Sequence, residues 1–167
     1  MTRLNFLTPE EIKISSEFKK NGFIIRDGAN KKSLNWIQSK FINLIKKKYN
    51  FEKNTTNLKI LNFFHKKISK SNLNSFRLKV LDSINKDPNF KYHYFEVARP
   101  FIEAIAGNEL AMQKRVNLSI QLPEDDSSLL VVHSDVWAGD SPFEIVVWLP
   151  LVNCFRTKTM YILPPNK

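Results

Sequence analysis

The period of the hydrophobic pattern changes near Gly107, and this change constrains the fold more than any other feature of the sequence. Before it, apolar residues recur at helical spacing, most clearly over 31–49. After it, apolar and polar residues alternate, as over 116–122, which is typical of a strand with one buried face. The 167 residues suffice for one domain. We therefore expect an α+β fold in one domain, with a mainly helical part over 1–107 and antiparallel strands over 108–167.

Capping signals place the first helix. Thr8, Pro9 and Glu11 form a capping box with proline at the first helical position, so a helix should begin at Pro9 and end near Gly22. The lysine run 46–48 lies at the C-terminal end of the second expected helix, where positive charges interact favourably with the helix dipole. This interaction explains the run, so no bound ligand needs to be assumed. The remaining helices are expected near 31–49, 57–68, 72–86 and 91–106, the last one interrupted or restarted at Pro100.

Short strands are expected where apolar runs are bounded by turn residues. The segment 129–132 is apolar throughout and predicts a buried strand. The segment 143–151 is largely apolar on both faces, which suits a strand that is covered on both sides. The other expected strands are 23–26, 116–122 and 159–163.

Charge is distributed unevenly along the chain. The net charge is +10, with +13 in residues 1–100 and −3 in the remainder. A basic half suits a polyanion partner, so a non-catalytic basic helical module that binds a polyanion is one candidate function. We do not expect nucleic acid as the partner, because only 6 of the 26 basic residues are arginines, which base-reading proteins favour.

Cysteine content and apolar run lengths exclude several protein classes. The single cysteine, Cys154, excludes a disulfide framework and any multi-cysteine zinc site, and it is expected to be a small buried residue. The apolar runs are too short to cross a bilayer, so no membrane partner is expected. The first residues, 1–5, contain no apolar signal core, and we expect a cytoplasmic protein.

His133 and Asp135 form the one spacing in the sequence that predicts metal chemistry. Residues two apart on an extended chain point to the same side, so this imidazole and carboxylate can bind one cation at about 2.1 Å each. Such a pair suits Fe(II), Mn(II) or Zn(II). The alternative is a histidine hydrogen-bonded to a nearby aspartate. His65 and His93 have no carboxylate or cysteine at ligand spacing, so surface or packed histidines are expected there.

The stretch 116–165 carries further motifs around this pair. They are Val-Asn-Leu-Ser-Ile-Gln-Leu-Pro at 116–123, His-Ser-Asp-Val-Trp at 133–137, Trp-Leu-Pro-Leu at 148–151 and Met-Tyr-Ile-Leu-Pro-Pro at 160–165. With them the chain resembles the Fe(II)/2-oxoglutarate-dependent dioxygenases. Within these it is most similar to the phytanoyl-CoA hydroxylase-like branch, specifically the oxygenases of sporadic carbohydrate-biosynthesis clusters. Asn-Gly-Phe-Ile-Ile at 21–25 is similar to the opening of that branch.

The resemblance implies a fold and a chemistry. The strands would form the first half of a double-stranded β-helix (jelly roll), with His133 and Asp135 as the first two ligands of Fe(II). The implied activity is hydroxylation of a carbohydrate or sugar-linked small molecule, with 2-oxoglutarate as cosubstrate. The implied keto-acid-binding residues are Trp148, Asn117, Gln121 and Thr159, and Trp137 would border the substrate entrance.

These supporting residues also have structural explanations. Trp148 suits a packed core position nearly as well, since large aromatic side chains are usually buried. Asn117 and Gln121 equally suit the solvated face of a strand. Trp137 equally suits an exposed loop.

The resemblance is incomplete at its far end. The family has a distal histidine and, shortly after it, an arginine for the keto acid, yet no histidine follows His133. The only later arginine, Arg156, precedes the expected position of that motif. We therefore expect a C-terminally truncated front portion of a dioxygenase, with weak Fe(II) and 2-oxoglutarate binding and little activity alone. A half jelly roll would expose unpaired sheet edges, which favour self-association.

Overall fold

The computed structural model describes residues 6–126, 129–163 and 165, and all regular secondary structure within them is helical. Five α-helices follow one another up to residue 106, and the described residues of 108–163, here called the back segment, carry only short 3₁₀ turns. The helices are α1 (Pro9–Asn21), α2 (Lys31–Lys48), α3 (Asn57–Phe63), α4 (Lys70–Lys86) and α5 (Phe90–Ala106). The 3₁₀ turns are Phe64–Lys66, Asp135–Ala138 and Arg156–Lys158.

The first helix begins and ends where its capping signals predict. The Thr8 hydroxyl accepts a hydrogen bond from the Glu11 amide, and the Glu11 carboxylate accepts one from the Thr8 amide at 2.7 Å. Gly22 ends the helix in the left-handed conformation, at φ 78°. A Cβ at Gly22 would also lie 3.0 Å from the side chain of Pro165. Only glycine meets both requirements without strain.

The predicted break at Pro100 is wrong. Helix α5 runs through this residue without interruption. Proline removes one amide donor from the helix, but the other turns keep their hydrogen bonds and a buried inner face that includes Val97, Ala98 and Ala104. Tertiary packing therefore outweighs the local penalty. The other predicted helices are confirmed, except that 57–68 divides into α3 and the 3₁₀ turn that follows it.

The core lies between the helices. One fully buried side chain comes from each of four helices: Ile37 of α2, Ile60 of α3, Ile84 of α4 and Phe90 of α5. The Phe41 and Phe90 rings meet edge to face, with centroids 6.0 Å apart. From the back segment, Val116 and Leu122 join this cluster. The helices thus form most of the core, and the back segment contributes Val116 and Leu122 to it.

The expected α+β fold with half a jelly roll is wrong. Nowhere in 6–126 or 129–163 do two stretches pair as β-strands. None of the five predicted strands is therefore formed: 23–26, 116–122, 129–132, 143–151 and 159–163. Alternation at 116–122 does mark a segment with an inward face, but a strand also needs a partner strand, which alternation cannot supply. The segment 129–132, expected to be buried, is exposed, and Val131 is 83% exposed.

The side chain of Asn85, on α4, forms the hydrogen bonds that a neighbouring strand would otherwise form with Val116. Its side-chain oxygen accepts from the Val116 amide at 2.7 Å, and its side-chain nitrogen donates to the Val116 carbonyl at 3.0 Å. The same nitrogen also donates to the Leu81 carbonyl at 2.8 Å. Because Val116 is buried, its backbone groups need partners within the protein. One carboxamide supplies both.

Two further side chains of the helices donate hydrogen bonds to backbone carbonyls of the segment 143–151, where a strand was predicted. The Tyr94 hydroxyl donates to the Val147 carbonyl, and the Gln38 amide donates to the Leu151 carbonyl at 3.1 Å. Burial raises the pKa of Tyr94, so this phenol keeps its proton and remains a donor. The extended segments are therefore bound to helices α2, α4 and α5 rather than to one another.

The back segment exposes much apolar surface. The accessible surface of the chain is 13191 Å², whereas a compact protein of 19.5 kDa has about 8,500 Å². The excess, about 4,700 Å², is larger than the area that one protomer buries in a large homodimer interface, about 1,000–2,500 Å², so one dimer contact would cover only part of it. The exposed apolar side chains of the back segment include Leu130, Val131, Val132, Trp137, Phe143 and Tyr161.

The length and hydropathy of the helices were compared with those of membrane-spanning helices. In the part of the chain that the structure describes, none of them combines the length and the apolar character that a bilayer crossing requires. Residues 1–5, which carry the expectation of a cytoplasmic protein, lie outside the described residues.

We expect Asn85→Leu to lower the free energy of unfolding by about 1–3 kcal/mol, because the buried Val116 amide and carbonyl lose their partner. Urea denaturation followed by circular dichroism measures this change. Asn74→Leu, on an exposed position of the same helix, is the matched control and should change the value by less than about 0.5 kcal/mol. Equal effects of the two substitutions would contradict the role of Asn85.

Protonation of Asp87 at low pH should lower the free energy of unfolding. The Lys40 ammonium and the Asn89 amide bind its carboxylate and lower its pKa below the ordinary value of 3.8. A lowered folded-state pKa stabilises the protein above the ordinary value, and this contribution disappears as pH falls through the folded-state pKa. Asp87→Asn should therefore reduce the difference in unfolding free energy between pH 7 and pH 3. Asp82→Asn, at an exposed ion pair, should leave that difference unchanged, and the prediction fails if both variants behave alike.

We propose that a second copy of the chain covers part of the apolar back segment. Association through this segment keeps the basic helical halves, which carry +13 over residues 1–100, apart. Sedimentation velocity should show a concentration-dependent dimer, and the double variant Val131→Lys, Val132→Lys should shift it toward monomer. Leu78→Lys, at an exposed position of α4, should not. A monomer at every concentration would overturn the proposal.

Candidate metal site

The local backbone brings His133 and Asp135 together. Ser134 is extended, at φ −122° and ψ 137°, so its two neighbours point to the same side. Asp135 then begins a 3₁₀ turn, and Gly139 closes it at φ 100°. As a result, His133 Nε2 and Asp135 Oδ1 lie 3.5 Å apart. The predicted convergence of the two side chains is present, although it occurs at a turn and not at the end of a strand.

A hydrogen bond determines which nitrogen of His133 is free. Nδ1 lies 2.7 Å from the carbonyl oxygen of Val131. A carbonyl only accepts, so Nδ1 carries the proton, and in the neutral ring Nε2 presents its lone pair toward Asp135. Metal-binding histidines are held in this way, with the second ring nitrogen donating to a carbonyl or carboxylate.

The spacing of the two atoms fits a shared divalent metal. Two atoms bound to one cation at about 2.1 Å are about 3.0 Å apart in octahedral geometry and about 3.4 Å apart in tetrahedral geometry. The observed separation is 3.5 Å. The side chains of His133 and Asp135 are 44% and 49% exposed, so water has access to the position between them. Fe(II), Mn(II) and Zn(II) all suit this donor pair.

The described residues bring no third candidate ligand to His133 and Asp135. Across 6–126, 129–163 and 165, no three histidine, cysteine, aspartate or glutamate side chains come together. His65 bonds through Nδ1 to the Asn62 carbonyl at 2.9 Å. His93 stacks on Trp36 and lies 3.0 Å from the Ser33 hydroxyl. Both histidines belong to the helical half.

The remaining predicted site residues do not gather around the pair. All five are exposed: Trp137, Trp148, Asn117, Gln121 and Thr159. Trp137 follows Asp135 on the same turn, and the Thr159 hydroxyl donates to the Arg156 carbonyl at 2.8 Å. Between them and the pair, the described residues show no hydrogen bond or ring contact. A keto acid needs a cation for its far carboxylate, and the contacts described around the pair assign none, so 2-oxoglutarate binding stays a prediction from the sequence motifs.

Two surface depressions in the helical half were not expected from the sequence. The first, of about 420 Å³, is lined by Phe51, Glu52, Asn54, Thr55, Lys59 and Lys67. The second, of about 360 Å³, is lined by Lys40, Asn43, Leu44, Lys47 and Ser83. The available signal was the density of lysines over 46–70, but which of them share a depression depends on the packing of the helices.

Comparison of the chain with family models, curated proteins and solved structures identifies no match. The resemblance of the 116–165 motifs to the dioxygenases therefore stays a prediction, supported by the sequence alone.

Proposed function

We propose that this chain is a metal-binding relative of the Fe(II)/2-oxoglutarate-dependent oxygenases, with His133 and Asp135 holding the metal. The observation that carries the proposal is the 3.5 Å separation of Nε2 and Oδ1, with Nδ1 already donating to the Val131 carbonyl. The proposed reaction class is hydroxylation of a carbohydrate-linked small molecule in the cytoplasm.

The two side chains contribute different chemistry to such a site. Fe(II), when bound, supplies the redox centre that oxidises a C–H bond. Asp135 contributes a negative charge, and His133 contributes a neutral donor whose orientation the Val131 carbonyl fixes. The proposal of 2-oxoglutarate as cosubstrate is supported by the sequence motifs alone.

Two protein ligands favour weak and unselective binding. Loss of orienting groups around a ligand already costs about 10–100-fold in metal affinity, and a missing ligand should cost more. Without a third ligand the site lacks the geometry that selects iron, so the intrinsic order of affinities favours Cu(II), Ni(II) and Zn(II). This explains why we expect little oxygenase activity from the chain by itself.

Titration of the tag-free chain with Co(II) and Zn(II), followed by calorimetry and by the Co(II) absorption spectrum, tests the proposal. His133→Ala and Asp135→Ala should each weaken binding by at least about tenfold, because each removes one of two ligands. His65→Ala is the matched control, because its Nδ1 also lies beside a carbonyl while, among the described residues, no carboxylate pairs with its ring. It should leave the affinity unchanged.

The outcomes distinguish the proposal from an ordinary surface ion pair. If all three variants bind metal as the wild type does, His133 and Asp135 are not ligands and the proposal fails. If binding depends on both His133 and Asp135 and is unchanged in His65→Ala, the metal site is supported. Succinate production by the purified chain with 2-oxoglutarate would contradict the expected low activity but would support the oxygenase class.

A further inference from the structure

Positive charge is concentrated in one stretch of the helical half. Residues 46–70 contain eight lysines and one acidic residue, Glu52, and so carry +7 of the chain's net +10. The stretch covers the end of α2, α3, the 3₁₀ turn after α3 and the first residue of α4. A solvated helix end explains 46–48, but it does not explain the lysines farther along.

Two of these lysines line one depression. Lys59 and Lys67 are eight residues apart, and both border the depression of about 420 Å³ together with Phe51, Asn54 and Thr55. Buried neighbours position them: Ile60 is fully closed off from water, and Phe64 and Ile68 are buried in the same core. A hydrogen bond from the Thr55 amide to the Glu52 carbonyl, at 3.0 Å, closes the loop that forms the rim.

Both ammonium groups are available to a ligand. Within the described residues, neither Lys59 nor Lys67 forms an ion pair, whereas Lys40, Lys70 and Lys86 each pair with an aspartate. Glu52 also lines the depression, so the charge of its lining is +1 rather than +2. A small anion therefore meets two unpaired cations and a single opposing carboxylate.

The lining indicates the chemistry of the ligand. Lysine ammonium groups bind phosphate oxygens as point charges, and the Asn54 amide and Thr55 hydroxyl add neutral donors. Phe51, which is half-buried, offers an apolar surface for a ring. The depression has a volume of about 420 Å³ and is open to solvent, so a ligand there would be held at the surface. We propose that this depression binds a phosphate-bearing small molecule, independently of the metal pair.

Calorimetry with inorganic phosphate, pyrophosphate and ADP, at low and physiological ionic strength, tests the site. The double variant Lys59→Ala, Lys67→Ala should weaken binding of pyrophosphate and ADP by at least about tenfold. Lys19→Ala, Lys20→Ala, at exposed positions of α1, removes the same charge elsewhere and should change affinity less than about twofold. Phe51→Ala should weaken ADP binding more than pyrophosphate binding. The fold of each variant is checked by circular dichroism and thermal unfolding.

Three results would overturn the proposal. One is the absence of binding to all three probes. Another is equal weakening by the two double variants, which would mean that net charge rather than the depression attracts anions. The third is that heparin binds, with steep salt dependence, while the small probes do not, because a long polyanion would then be the ligand. Failure of this test leaves the metal titration unaffected, since the two sites share no residue.

Discussion

The mutual burial of four side chains fixes the arrangement on which the rest of the molecule depends. Ile37, Ile60, Ile84 and Phe90 each come from a different helix, and all four are closed off from water. Burial of such side chains is the main favourable term in folding, about 1.5–3 kcal/mol each. The helices so fixed present Gln38, Asn85 and Tyr94 to the back segment, and they present Lys59 and Lys67 to one depression.

The back segment depends on this frame because it has little internal support of its own. Its buried backbone groups are satisfied by side chains of the helices, as at Val116, where one carboxamide binds both the amide and the carbonyl. A β-ladder satisfies successive residues along its whole length, whereas single side chains satisfy isolated points. Between these points many apolar residues remain in water, which contributes to the large surface of the chain.

Local signals predicted the helices, and non-local pairing decided the rest. The capping box at Thr8 and the stop at Gly22 act within one helical turn, so the sequence contains everything they need. Continuation of α5 through Pro100 depends on packing against other elements, and a sheet depends on a partner strand. The candidate sites follow the same division. The approach of His133 and Asp135 follows from one extended residue between them, whereas the depression at Lys59 and Lys67 arises only when α3 packs into the core.

His133 and Asp135 are brought together by contacts that are close in sequence. The imidazole, its orienting carbonyl and the carboxylate all belong to five consecutive residues, 131–135. No helix of the frame takes part in the contacts that the structure shows among them. The approach of the two side chains is therefore local in sequence, and a peptide that keeps the backbone from Val131 to the turn closed by Gly139 should keep it as well.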